Sequence, residues 1–338
     1  MKREPDYTQL LKVLRNEVPD RPTLFEFFLN NDLYAELNNG EAPVRGDGYD
    51  AFRQMMFAFK NAGYDHITTH ASDFGFPTSD HGHKATVSLN EGFVITDWAS
   101  FEKYPWQDPK KSDYSRLDVC GKDLPPGMKF IVYGSNGVLE NVIALVGYDN
   151  LCLMLYDDPE LVQEIVDRVG SGLVGYYEQV AGHDNVCALI SNDDWGFNTQ
   201  TMLAPADMRK YIFPWHKKIA KVAHDHGKPV ILHSCGMLTD VMDDIIDDMS
   251  FNAKHSFEDN IQPIESAYEQ YKDRIALLGG LDLNFVCTAS PEEVRKRAQG
   301  MMERSAVSGG YALGTGNSVP EYVPHENFYA MVDVVRKG

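Results

Sequence analysis

Along the chain, short runs of apolar and β-branched residues are followed by a polar or glycine-bearing turn. A longer stretch with apolar positions at helical spacing comes next, and the alternation repeats. The runs that read as strands are Thr23–Phe28, Tyr64–Thr68, Lys129–Tyr133, Val186–Ser191, Pro229–His233, Phe251–His255, Ile275–Leu281 and Gly310–Leu313. Strands that alternate with helices pair in parallel through right-handed crossovers, and eight such units close into a (β/α)8 TIM barrel. A doubly wound open sheet would place a Gly-x-Gly-x-x-Gly turn after the first strand, and that motif is absent there. The expected fold class is therefore α/β, a single barrel domain spanning 1–338.

Helix punctuation agrees. Asp158-Pro159 offers an N-cap followed by proline at the first helical position. Ser290-Pro291-Glu292-Glu293 forms a capping box for a helix that stops before Gly309-Gly310. Leu238, Val241, Met242, Ile245, Ile246 and Met249 fall at helical spacing, interleaved with Asp240, Asp243, Asp244, Asp247 and Asp248, which reads as a solvated acidic face. The stretch 71–127, after the second strand, is too long for an ordinary barrel loop. Within it Thr86–Leu89 and Phe93–Thr96 flank Asn90-Glu91-Gly92 as a hairpin, and the whole insert reads as a lid or specificity region.

Composition narrows the function class. The chain has 338 residues, 43% apolar and 24% charged, as in a globular domain. Its 31 Lys+Arg against 50 Asp+Glu give a net charge of −19, which opposes phosphate backbones and anionic lipid. No apolar run approaches the ~20 residues of a membrane span, and Met1–Asp6 has no signal-peptide core. Five scattered cysteines do not form a disulfide framework. The expectation is a cytoplasmic, reduced protein without nucleic-acid or membrane partners, acting on a small molecule and capable of forming a homodimer.

Barrel active sites assemble from residues that follow the strands. Here the first strand holds Glu26, and the second leads to His70 and Asp73. The third leads to Ser135, Asn136 and Glu140, and the fourth ends in Asn192-Asp193-Asp194-Trp195. The fifth delivers His233-Ser234-Cys235-Gly236, the sixth His255-Ser256-Phe257-Glu258-Asp259, the seventh Asp282 and the eighth Thr315-Gly316-Asn317-Ser318. The sharpest element is His233-x-Cys235. An imidazole and a thiolate two positions apart at a strand end can bend towards one ion, and N/S ligation suits zinc. Asp193, Asp194, Glu258 or Asp282 lie within reach of the same rim. His255 and Glu258 could supply a ligand or an acid–base pair, while Asp80, His81 and His83 read as an exposed polar turn. Cys120, Cys152 and Cys187 read as apolar fillers, with Cys287 an outside candidate.

Four stretches resemble the uroporphyrinogen decarboxylase superfamily, which includes the cobalamin-dependent methyltransferases. They are Asp193-Asp194-Trp195-Gly196 with the following Leu203–Asp207 and Pro214-Trp215-His216, then His233-Ser234-Cys235-Gly236, Leu278–Asp282 and Leu313–Asn317. The resemblance implies a (β/α)8 barrel. The decarboxylases hold a polycarboxylate with arginines near the N-terminus, whereas Arg21–Phe28 here is followed by no arginine until Arg45. The methyltransferase branch is similar in His233 and Cys235, which look like two of its zinc ligands. Its third ligand, a late cysteine, aligns with Thr315 here.

What the resemblance implies is a zinc-dependent methyltransferase that moves a methyl group between a corrinoid protein and a small thiol or pterin. His233 and Cys235, with Glu258, would hold zinc. Asp193, Asp282 and His255 would be catalytic, and Glu26, Ser135, Asn136, Asp194, Trp195, Thr315 and Asn317 would contact substrate or cofactor. A decarboxylase or lyase acting on a small carboxylic acid, and a non-catalytic ligand-binding barrel, are the alternatives.

Overall fold

In a computed structural model, which describes residues 3–79 and 88–337, seven strands form one parallel sheet in sequential order. They are β1 His66–His70, β2 Lys129–Tyr133, β3 Val186–Asn192, β4 Val230–His233, β5 Ala253–His255, β6 Ala276–Leu278 and β7 Tyr311–Ala312. Each is buried on both faces, as parallel sheets in barrels are. Alternate residues point inward. Phe25, Phe27, Ile131, Ile190, Ile231, Ala253, Leu278 and Ala312 form one apolar cluster, so every strand from β2 to β7 contributes to a shared interior. Leu10, Val13 and Leu14 of the helix Tyr7–Leu14 join that cluster.

The expected first strand is the exception. Within 23–28, Leu24 alone bridges to Leu313, with the Phe25 N–H donating to the Leu313 carbonyl at 2.9 Å and the Leu313 N–H to Thr23 at 2.9 Å. Towards β1 the link runs through side chains: Thr68 Oγ1 donates to the Phe27 carbonyl at 2.5 Å, and a ring nitrogen of His66 lies 3.5 Å from the Glu26 carbonyl. Side chains therefore occupy carbonyls that a backbone ladder would have used. The segment fills the eighth position of a TIM barrel-like sheet without pairing as a regular strand.

The helical caps form as expected. Asp158 accepts the Leu161 N–H at 3.1 Å and starts the helix Pro159–Val180. Ser290 and Glu293 exchange both bonds of a capping box at the start of Pro291–Ser305. The acidic segment is less regular than expected, a 3-10 turn at Thr239–Val241 and a π-type turn at Asp244–Asp248. Its apolar face is buried, and its aspartates pair with Arg209, Lys217 and Arg274, which makes it an ion-paired surface.

The expected hairpin in the insert does not form in its described part, and Thr86–Val87, like Asp80, His81 and His83, lie outside the described residues. Phe93–Thr96 is not a strand. The N–H groups of Val94 and Ile95 both donate to the Leu145 carbonyl, at 2.8 and 2.9 Å. That carbonyl lies in the last turn of the helix Val138–Val146, where acceptors lack intrahelical partners, and it claims the donors a hairpin would need. Among the described residues no single helix is long and apolar enough to cross a membrane.

Candidate metal centre

Two loops meet at the C-terminal mouth of the barrel. The turn after β4 carries Gly236 at φ +86°, and a Cβ there would lie 2.1 Å from the Gly196 carbonyl oxygen. Only glycine allows both the left-handed conformation and that approach. The turn after β3 is thereby pressed against it: Trp195 N–H donates to Ser234 Oγ at 3.1 Å, and Cys235 N–H to Asp194 Oδ1 at 2.8 Å.

This docking gathers three donors. One ligand atom each from Asp194, His233 and Cys235 lies within 4.8 Å of the others. The residues fit a metal ion: a carboxylate, an imidazole and a thiol form the mixed O/N/S set that zinc accepts. Asn317 Nδ2 donates to Cys235 Sγ at 3.3 Å, and Ser256 Oγ donates to the same sulfur at 3.2 Å. Two donors on one sulfur favour its thiolate form. Against them, burial and then the Asp194 charge push the Cys235 thiol up to about 12. A bound cation would reverse that balance, because a coordinating thiol is deprotonated outright. Burial holds His233 down to about 4, which keeps its ring neutral and competent to ligate.

Lys254 lies behind the cluster, fully buried, with Nζ donating to the Ser256 carbonyl at 2.6 Å and resting on the Phe257 ring. Burial lowers its ammonium to about 8, while the Cys235, Asp194 and Glu258 charges act in the opposite direction. Sequence reasoning assigned this residue no role. Its only signal is a lysine inside an otherwise buried strand.

A cavity of about 440 Å³ opens onto the cluster, lined by Phe27, Phe28, His70, Tyr133, Ser135, Asn136, Glu140, Asn192, Asp194 and His233. Asn136, Glu140 and Asp194 also line a neighbouring cavity of about 530 Å³, whose walls include Leu89 from the insert, Ile143, Phe197 and Met202. Among the described residues, neither cavity is lined by lysine or arginine. Burial, followed by the Asp193 and Asp194 charges, raises the carboxyl of Glu140, which faces both cavities. Glu140 was visible as a residue following the third strand, but its environment was not.

The structure separates the expected site residues. Ser135 and Asn136 line the cavity beside Asp194, and Asn317 touches the Cys235 sulfur. Asp194 lines both cavities and also lies in the cluster with His233 and Cys235. Glu258 is outside the three-residue cluster and lines a separate cavity of about 1030 Å³, together with Asp282. Asp282 caps the helix Leu283–Thr288 through the Phe285 N–H and also accepts the Asp259 N–H.

Five of the expected residues sit in closed positions. Asp193 is fully buried and accepts the N–H groups of Leu139 and Glu140, at 2.8 and 2.9 Å, beside His216 at 2.8 Å. It caps the helix Val138–Val146 from a buried position. Trp195 is buried against Phe213 and His216. Glu26 and Thr315 are both buried and bonded to each other, Thr315 Oγ1 donating to Glu26 at 2.5 Å. His255 is fully buried with Nδ1 against His233 Nδ1 at 2.8 Å, so it supports the cluster from below and has no access to the cavity.

A parallel barrel with a thiol, an imidazole and a carboxylate converging at its mouth defines an α/β-barrel enzyme architecture. Residues 134–338 match the family model described as "Uroporphyrinogen decarboxylase (URO-D)", and the chain belongs to that family. Curated relatives include the uroporphyrinogen decarboxylase of Alkalilimnicola ehrlichii, 25% identical over 196 residues, covering 54% of this chain and 49% of that protein. Another is the uroporphyrinogen decarboxylase of Syntrophotalea carbinolica, 22% identical over 186 residues, covering 54% and 51%. The chain thus spans about half the length of the curated relatives it matches. A solved structure titled "methyltransferase from Methanosarcina mazei" superposes with a TM-score of 0.68 at 15% identity, covering 98% of both chains. At that identity the likeness is one of fold.

Proposed function

We propose that this protein is a metal-dependent methyltransferase of the corrinoid type, passing a methyl group between a corrinoid protein and a small thiol or pterin. The observation that carries this proposal is the Asp194–His233–Cys235 donor set beside a cavity that has no cationic lining among the described residues. Zinc held there would supply Lewis acidity and keep a thiol acceptor in its reactive thiolate form near neutral pH. The remaining work falls to the chain itself. Phe27, Phe28 and Tyr133 wall the cavity with aromatic surface beside Asp194 and His233. Ser135, Asn136 and Asn192 offer neutral polar groups that orient a ligand without demanding a charge. Glu140, whose carboxyl is raised by burial, would hold a proton more readily than an exposed carboxyl and so could donate it to a polar atom of the acceptor.

The name borne by the curated relatives supports a second possibility, decarboxylation. A porphyrinogen with many carboxylates calls for guanidinium partners, and the two cavities beside the cluster offer neutral or acidic groups instead. The test is to incubate purified protein with methylcobalamin and thiol or pterin acceptors. Acceptor-dependent demethylation that disappears in Cys235→Ala supports methyl transfer. Carbon dioxide release from a carboxylic acid, unaffected by chelators and by Cys235→Ala, overturns it.

A further inference from the structure

His233 and His255 sit directly opposite each other in the register of β4 and β5. Both rings project into the barrel, and their Nδ1 atoms are 2.8 Å apart. Two imidazole nitrogens at that distance share one proton, so one ring donates and the other accepts. The far side of the His255 ring decides which. Its Nε2 faces the Thr315 carbonyl without reaching full hydrogen-bond geometry. That carbonyl already takes the Gly280 N–H at 2.8 Å and keeps a second lone pair. Gly279, at φ +66°, permits the approach, since a Cβ there would lie 2.2 Å from the Thr315 oxygen and 3.2 Å from His255 Nε2. Phe25 closes edge-on against the ring at 4.9 Å.

A carbonyl only accepts hydrogen bonds. It therefore favours the proton on His255 Nε2, which leaves His255 Nδ1 as an acceptor and His233 Nδ1 as the donor. His233 Nε2 then carries a free lone pair, and it is the ring nitrogen left over for the cluster with Asp194 and Cys235. We propose that His255, oriented by the Thr315 carbonyl, is a positioning residue that fixes His233 in the Nδ1–H tautomer and so presents Nε2 to a metal ion. The proposal rests on the metal-dependent function above. It also gives Thr315 a part played by its backbone, while its hydroxyl is engaged with Glu26.

The experiment is a zinc competition titration against a chromophoric chelator, using the full chain as wild type, His255→Gln and His255→Leu. Two-bond 1H–15N imidazole spectra of the zinc-loaded wild type accompany it. Glutamine can accept from His233 and donate to Thr315, so its affinity should stay within a few-fold of wild type. Leucine removes the acceptor, and affinity should fall roughly 10–100-fold, as when the outer partner of a metal-bound histidine is lost. The spectra should show His233 protonated at Nδ1. Leucine binding as tightly as wild type, or glutamine binding as weakly as leucine, overturns the proposal, as does a proton on His233 Nε2 in the zinc-loaded protein. If the leucine variant does not fold, the wild-type spectra decide. Wild type that takes up no zinc removes the metal-dependent function itself, a result separate from the others.

Discussion

Asp194 Oδ1 accepts the backbone N–H of Cys235 at 2.8 Å, so a carboxylate that follows β3 holds the sulfur-bearing turn that follows β4. The same side chain brings an oxygen within 4.8 Å of the ligand atoms of His233 and Cys235. One side chain thus joins the scaffold to the candidate metal cluster, and the glycine contact between the two loops makes the arrangement possible.

Gly236→Ala should therefore weaken metal binding without touching a ligand. Its new methyl would meet the Gly196 carbonyl at 2.1 Å on a backbone at φ +86°, and a strained non-glycine residue of this kind costs about 1–3 kcal/mol. Urea unfolding and zinc titration measure the two effects. Unchanged stability and affinity would mean that the loops can part freely.

Asp193→Ala should destabilise the fold rather than alter substrate binding. It strips two helix N–H groups of their acceptor and leaves His216 without its buried partner. Each buried donor left without its acceptor costs about 1–3 kcal/mol. Urea denaturation should register a loss of that order, and a change under ~1 kcal/mol would argue against the capping role.

Much of the architecture was legible in the sequence because β-branched runs and helix caps are local signals. The segment 23–28 reads as a strand by composition, yet His66 and Thr68 reach its carbonyls, a tertiary event that no local pattern encodes. At the site, His233-x-Cys235 was legible because a strand end aims both groups at one mouth. The choice between Asp193 and Asp194 was not, since neighbouring carboxylates look alike in sequence. His216, 23 residues further on, claims the first, and the Gly196–Gly236 contact directs the second. His255 was recognised as a strand-end residue, but its place beneath His233 comes from sheet register.

Glu26 links pH to stability. Burial raises its carboxyl to about 8, against hydrogen bonds from Thr315 that act in the other direction. A carboxyl whose folded pKa lies above its unfolded value stabilises fully below the unfolded value. That contribution is lost as pH rises towards the folded one, here from about 4.5 to about 8. Wild-type stability should fall more steeply over that window than Glu26→Gln, by up to about 1.4 kcal/mol per pH unit. Thermal melts from pH 5 to pH 9 compare the two, and parallel curves would show that Glu26 does not titrate in the folded protein.

Elemental analysis of the purified chain tests the metal centre most directly. About one zinc per chain is expected in the wild type and in Glu258→Ala, with little in Cys235→Ala or Asp194→Ala when the variants remain folded. Wild type free of metal even after zinc is supplied, or Cys235→Ala loaded as fully as wild type, would contradict it.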